Sequence, residues 1–257
     1  MSLKQRLNAG SLVLSTMVGE IRTPSLPHML KAGGLDSFIV DMEHGTHGWP
    51  DMAGLILAGR SIGLDPLVRI PEIRRETIMK PLDAGAAGIL VPMVESADQV
   101  AEIVRLAKYP PDGLRGVSVR RGHNVFVAGP LEDQVRTGNA ETAVMVQVET
   151  LAGVAEVDAI VSVPGLDAVF IGPNDLSVAA GRPGELHSEA MSAMYDRVIA
   201  AALGAGVAVG FQASTPAEAA DLVARGVRFL SYSTDVSAVI DKAAEISHAL
   251  RPVPDPA

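Results

Sequence analysis

Short runs of valine, isoleucine, leucine and phenylalanine recur along the chain, and between them apolar positions fall at helical intervals. The runs predict strands over Leu12–Thr16, Ser37–Asp41, Leu67–Ile70, Gly88–Pro92, Val144–Val148, Ala168–Gly172, Val207–Phe211 and Arg228–Tyr232. The intervals predict helices over Ser25–Ala32, Asp51–Ser61, Arg75–Ala84, Ala97–Ala107, Leu151–Val161, Glu189–Ala202, Pro216–Ala224 and Ser237–Ala249. Strands alternating with helices in this way point to a closed parallel (β/α)8 barrel, a TIM-like architecture in a single domain over residues 1–251. An open doubly wound sheet is the alternative, since one misread strand would change the count. The predicted strands are apolar almost throughout, as when both faces of a parallel sheet are buried.

Punctuation supports these boundaries. Ser96 with Gln99, and Thr215-Pro216 with Glu218, have the spacing of helix N-caps. Gly63, Gly85, Gly206 and Gly226 each follow a predicted helix, where a left-handed residue is wanted. One connection is too long for a tight turn: from Tyr109 to about Ala140 the chain is rich in Pro, Gly and Arg. It reads as a partly ordered excursion over the barrel mouth, with a share in subunit contacts. The tail, residues 252–257, holds three prolines and reads as frayed.

Charge narrows the partners. A formal net charge of −9 argues against nucleic acid or an anionic membrane. An anionic substrate would then need a local positive centre, either Arg or a bound metal. With no cysteine in the chain, a metal must be held by oxygen or imidazole, and disulfides are excluded. No apolar stretch is long enough for a signal peptide or a membrane span, which fits a cytoplasmic protein.

The candidate chemistry gathers at the C-terminal ends of predicted strands, where barrel enzymes build their sites. Asp41, Glu43 and His44 follow the second strand, Arg69 closes the third, Gln147 and Glu149 end the fifth, and Asp175 follows the sixth. Glu149 and Asp175, from adjacent strands, either share one octahedral cation or bond to local Arg and backbone groups. Arg69 either steadies an enolate or carboxylate or closes the barrel by pairing with Glu149 or Glu43. His44 is the candidate proton-transfer group, with Asp41 to fix its tautomer; its alternative is a loop histidine bonded to backbone. His44 and His47 lack the helical i, i+4 spacing of a two-histidine zinc site. His123, in the long basic loop, could face the mouth. The Gly172-Pro173 turn could receive an anion on its amides, or simply join strand to helix. No Lys lies at a convincing strand end, so a Schiff-base aldolase is disfavoured.

Six segments, taken together and in order, resemble the HpcH/HpaI aldolase and citrate lyase family. They are Val40-Asp-Met-Glu-His-Gly45, Leu67-Val-Arg-Ile-Pro71, Gly85-Ala-Ala-Gly-Ile-Leu-Val-Pro-Met-Val-Glu95, Tyr109-Pro-Pro-Asp-Gly-Leu-Arg-Gly116, Val146-Gln-Val-Glu-Thr150 and Asp167-Ala-Val-Phe-Ile-Gly-Pro-Asn-Asp-Leu-Ser177. The resemblance implies a TIM-like barrel, a hexamer built as a trimer of dimers with an exchanged C-terminal helix, and a class II pyruvate aldolase. It implies Glu149 and Asp175 as ligands of a divalent metal, Mg2+ or else Mn2+ or Co2+. It implies Arg69 as the enolate stabiliser, His44 with Asp41 as the acid–base dyad, and Gln147, Gly172, Pro173 and Asn174 around the 2-oxo acid. The reaction implied is retro-aldol cleavage of a 4-hydroxy-2-oxo or 2-keto-3-deoxy acid to pyruvate and an aldehyde through a metal-stabilised enolate. An oxaloacetate-type decarboxylase, a CoA-thioester lyase and a non-catalytic anion-binding barrel are the alternatives. Two departures from the family's usual pattern, Asn174 and the loop Val119–Phe126, are expected to lie where the aldehyde half of a substrate sits.

Overall fold

The computed structural model describes residues 1–251. Eight parallel strands close in sequence order into a barrel: β1 (Val13–Val18), β2 (Ser37–Asp41), β3 (Asp65–Arg69), β4 (Gly88–Val91), β5 (Ala143–Val148), β6 (Ala168–Ile171), β7 (Ala208–Ala213) and β8 (Phe229–Thr234). β1 pairs with both β2 and β8, so no edge strand remains. The predicted barrel is the one that forms. The tail expected over residues 252–257 lies outside the described residues.

Alternation along each strand divides the apolar residues into two cores. Val13, Met17, Ile39, Leu67, Leu90, Met145, Phe170 and Phe229 fill the barrel interior. Their neighbours, among them Phe38, Val40, Val68, Val146, Val169 and Phe211, pack outward beneath the helices. This double burial is why the strands read as continuous apolar runs rather than alternating ones. Gly85 and Gly226 take φ of 105° and 104° at helix ends, as their placement predicted.

The bottom of the barrel is closed by a helix that the apolar pattern did not announce. α1 (Leu3–Asn8) is six residues long and inserts Leu3 and Leu7 into the interior core. Its signal was the Ser2…Gln5 spacing, which makes a reciprocal capping box. The predicted helix over Leu151–Val161 is broken at Glu156 into two short pieces, Leu151–Ala155 and Val157–Val161. Residues Pro173–Ala179, read as a turn, form a helix with Pro at its first position.

The long connection departs from expectation. It carries a 3-10 turn at Gly122–Asn124 and a helix at Leu131–Glu141, and it packs beneath the barrel rather than over the mouth. Arg60 bridges the Gly85 and His123 carbonyls at 2.9 and 3.2 Å, and an added Cβ at Gly122 would strike the Ala84 backbone. His123 therefore lies beside Asp83 at the entrance to β4, and the loop Val119–Phe126 is remote from its own chain's mouth. The reason is topological. The helix after β4 runs back down the barrel, so the connection to β5 both starts and ends at the bottom.

One carboxylate fastens the mouth. Asp235, at the start of the last helix (Asp235–Leu250), accepts from the backbone N–H groups of Gly19, Glu20 and Ile21 at 2.7 to 3.0 Å. Burial pushes its pKa up, but these amides outweigh it and hold the carboxyl below the ordinary range. Its contribution is therefore present above the unfolded pKa and fades as pH falls through the lowered folded value. Asp235→Ala is expected to cost about 2 kcal/mol, roughly 4–8 °C in melting temperature by circular dichroism at pH 7. An unchanged melt would remove this clamp from the fold's stability.

Candidate active site

Strand register brings the first pair together. Asp41 and Arg69 are partners at the ends of β2 and β3. Arg69 donates through Nε to Asp41 Oδ1 at 2.9 Å and through Nη2 to Oδ2 at 2.6 Å, a fork matched to a carboxylate. Its third nitrogen, Nη1, lies 3.3 Å from Glu43 Oε2. Asp41 also accepts from the N–H groups of Glu43 and His44 at 3.1 and 3.2 Å. Burial raises its pKa, but the Arg69 bonds and charge, aided by those amides, leave it below the usual carboxylate range. Burial likewise opposes the charge on Arg69, yet Asp41, Glu43 and Glu149 hold its pKa above the ordinary value.

These contacts correct the expected dyad. The Asp41 carboxylate belongs to Arg69 and to the backbone of His44, not to the His44 ring. The ring is two-thirds exposed at the mouth, with Nε2 3.9 Å from Glu43 Oε2. His47 is buried, and its Nε2 meets the Val18 carbonyl at 3.2 Å, which takes it out of the site.

β5 supplies the second half. Glu149 is 2% exposed, with Oε1 accepting from the Met93 N–H at 2.8 Å and Oε2 bonded by the Gln147 amide. Met93 takes φ of 55° just after β4, a costly conformation for a non-glycine that aims its N–H at the carboxylate. Gly172, at the end of β6, must be glycine. A Cβ there would run into Glu149 Oε2 and come within 2.6 Å of Gln147 Nε2. Burial pushes the Glu149 carboxyl up to about 7; Asp175 and Glu43 add to the rise, against the Met93 and Gln147 hydrogen bonds. Glu43 is raised by burial as well, with Arg69 opposing and Asp41 and Asp175 reinforcing. Asn174 and Asp175 are exposed in the first turn of the helix after β6.

Four carboxylates thus feel one another around one guanidinium. Charge of one sign is in excess, and an anionic substrate would worsen it. The donors are all hard oxygens, and Gln147 Oε1 is buried there without a partner. Such a site suits a hard divalent cation held by one or two carboxylates with water and substrate completing the shell. Among the described residues no three His, Cys, Asp or Glu side chains form a ready cage.

A family model described as HpcH/HpaI aldolase/citrate lyase matches residues 20–242. The chain belongs to that family. The HpcH/HpaI membership makes it a lyase, and relatives named as aldolases agree. A hydroxypyruvate/pyruvate aldolase of Roseovarius nubinhibens is 33% identical over 235 residues, 91% of each chain. A 5-keto-4-deoxy-D-glucarate aldolase of Salmonella paratyphi C is 30% identical over 218 residues, 85% of this chain and 84% of that one. The crystal structure of an HpcH/HpaI aldolase from Desulfitobacterium hafniense superposes with a TM-score of 0.95 at 35% identity, covering 99% of this chain and 98% of that one. Among the described residues of this HpcH/HpaI lyase, no helix is long and apolar enough to cross a membrane.

Proposed function

We propose that this lyase cleaves the C3–C4 bond of a 4-hydroxy-2-oxo acid, releasing a pyruvate-type acid and an aldehyde. The observation that carries the reading is Arg69, a fixed guanidinium at the barrel mouth facing a cluster of carboxylates. Relatives named for hydroxypyruvate and pyruvate and for a keto-deoxy sugar acid support a 2-oxo acid as substrate. Glu149 and Asp175 would hold a divalent metal, with Mg2+ favoured by the oxygen donors and Mn2+ or Co2+ also suited. Bound there, the metal supplies electrophilic polarisation of the 2-oxo group.

The chain's own groups do the rest. Arg69 faces the oxygen on which negative charge develops as the bond breaks, its orientation fixed beforehand by Asp41. Gln147 and the Gly172-Pro173-Asn174 turn border the 2-oxo acid and fix which end enters first. The His44 ring accepts the proton of the 4-hydroxyl; the C3–C4 electron pair stays with the 2-oxo acid as the aldehyde carbonyl forms, and the proton held by His44 is returned to C3 to give the pyruvate-type acid. Glu43, beside both His44 and Arg69, orients the ring in the role first expected of Asp41. The last helix leaves Val239, Ile240, Ile246 and Leu250 exposed, which supports a homo-oligomer, a hexamer in this proposal.

Incubation with 2-keto-3-deoxy acids and Mg2+, with pyruvate read by a coupled dehydrogenase and aldehydes by mass spectrometry, tests the reading. Activity is expected to disappear on EDTA dialysis and to fall roughly 10²–10⁴-fold in His44→Ala. Full activity after EDTA would remove the metal. A wild-type-like His44→Ala would remove the base.

A further inference from the structure

The far wall of the barrel mouth carries a polar group that the lyase reading leaves unused. Ala208 packs into the interior core, and a Cβ at Gly210 would press on the Phe170 ring. Gln212, two residues further along β7, therefore faces inward as well. The pairing of Ile171 with Phe211 sets Gln212 beside Gly172, the glycine against which Gln147 and Glu149 pack too closely for a Cβ. Gln212 is thus two strands from Glu149, across the glycine that ends β6, and in the same layer as Arg69 and Gln147.

The orientation of its amide is determined. Nε2 donates to the Ser233 carbonyl at 2.9 Å. Because a carbonyl can only accept, the NH2 must face it and Oε1 must point away. Ser233 takes φ of 60°, and its carbonyl also meets Thr16 Oγ1 at 3.4 Å, so the anchor is itself held. Gln212 Oε1 is buried and has no donor. Beside it on β8 and β1, the register partners Ser231 and Ser15 carry buried hydroxyls that also lack partners. The register-paired positions Gln212, Ser231 and Ser15 of β7, β8 and β1 thus form a polar row inside the barrel, whereas β4, β5 and β6 present Leu90, Met145 and Phe170 at the middle of the barrel.

We propose that Gln212 determines specificity by accepting a hydrogen bond from a hydroxyl on C3 of the 2-oxo acid. The proposal rests on the lyase reading above and refines its substrate class, from 3-deoxy acids to those hydroxylated at C3. A serine hydroxyl can turn to donate or accept, but the Gln212 carbonyl needs a donor, and a carbon-bound hydrogen cannot serve. Gln212 also sits inside the barrel, level with Arg69. It therefore meets the deep 2-oxo acid half, not the aldehyde that leaves toward the loops. Sites built to bond a hydroxyl discriminate strongly against the analogue that lacks it.

The test is aldol addition to glycolaldehyde with Mg2+, using 3-hydroxypyruvate or pyruvate as the acid, in wild type, Gln212→Leu and Gln212→Met. Wild type is expected to prefer hydroxypyruvate. The ratio of kcat/KM values, hydroxypyruvate over pyruvate, is expected to fall roughly 10–100-fold in both variants, by analogy with the loss of one neutral hydrogen bond. Calorimetric affinities for the two acids read the same ratio without turnover. An unchanged ratio in a variant that melts like wild type overturns the proposal while leaving the lyase intact. A wild type that turns over neither acid overturns the lyase reading instead, and the calorimetric ratio then judges Gln212 alone. Two variants lead to the same answer if one fails to fold.

Discussion

Arg69→Lys is expected to fold normally and to lose roughly 10²–10³-fold in kcat/KM, because charge is kept while the fork is lost. In the native arrangement Nε and Nη2 grip both oxygens of Asp41, and Nη1 reaches Glu43. A lysine ammonium satisfies one of these carboxylates at a time, so the cation is no longer pinned where charge develops on the substrate. Arg69→Ala goes further. Asp41 is 5% exposed, and without its partner it becomes a buried, unpaired charge. Breaking such a pair costs about 3–5 kcal/mol, so this variant should lose stability together with activity. Steady-state kinetics alongside thermal melts separate the two effects. A lysine variant with wild-type turnover would show that Arg69 serves the fold alone.

The barrel was legible because its strands are buried on both faces and its helices are punctuated by caps and glycines. β2 was predicted residue for residue, and Asp41, Arg69, Gln147 and Glu149 stand at or just beyond the C-terminal strand ends where they were expected. What escaped the reading is tertiary in origin. α1 is too short to show a period, and only its capping box announced it. The expected seventh strand stopped at Phe211, which hid the inward-facing Gln212 beyond it. Met93 contributes a backbone N–H, a group every residue but proline possesses, so no residue type could mark it. The spacing of Asp41 and His44 is equally ambiguous. A carboxylate can reach the backbone N–H three residues on as readily as the side chain, in the manner of an Asx turn, and here it takes the backbone. The excursion from 109 to 140 was assigned by analogy with functional loops, when the direction of the preceding helix already placed both its ends under the barrel.

Glu149→Gln is expected to make the metal-free protein more stable and nearly inactive. Burial, joined by Asp175 and Glu43, puts the folded-state pKa of Glu149 at about 7, above the value near 4.3 of an unfolded glutamate. The folded state therefore holds the proton more tightly than the unfolded one. Its stabilising effect is complete below the unfolded pKa and is lost as pH rises through about 7. The shift corresponds to about 3 kcal/mol, so wild type in EDTA should melt progressively lower between about pH 5 and pH 8. Glutamine carries no charge to desolvate. It still accepts from the Met93 N–H, and Gln147 can turn its amide so that the Oε1 now lacking a donor faces the new NH2. At pH 8 in EDTA the variant should melt roughly 5–10 °C above wild type, with little pH dependence from this site. Mg2+ should raise the wild-type melt and leave the variant unmoved, while retro-aldol turnover falls at least ~10³-fold. The two signs are tied to one carboxylate: a charge stripped of water by burial, with Asp175 and Glu43 adding to the cost, destabilises the empty site, and a cation would compensate it. A variant that melts below wild type at pH 8, or that still gains stability from Mg2+, would break the link between Glu149 and the metal.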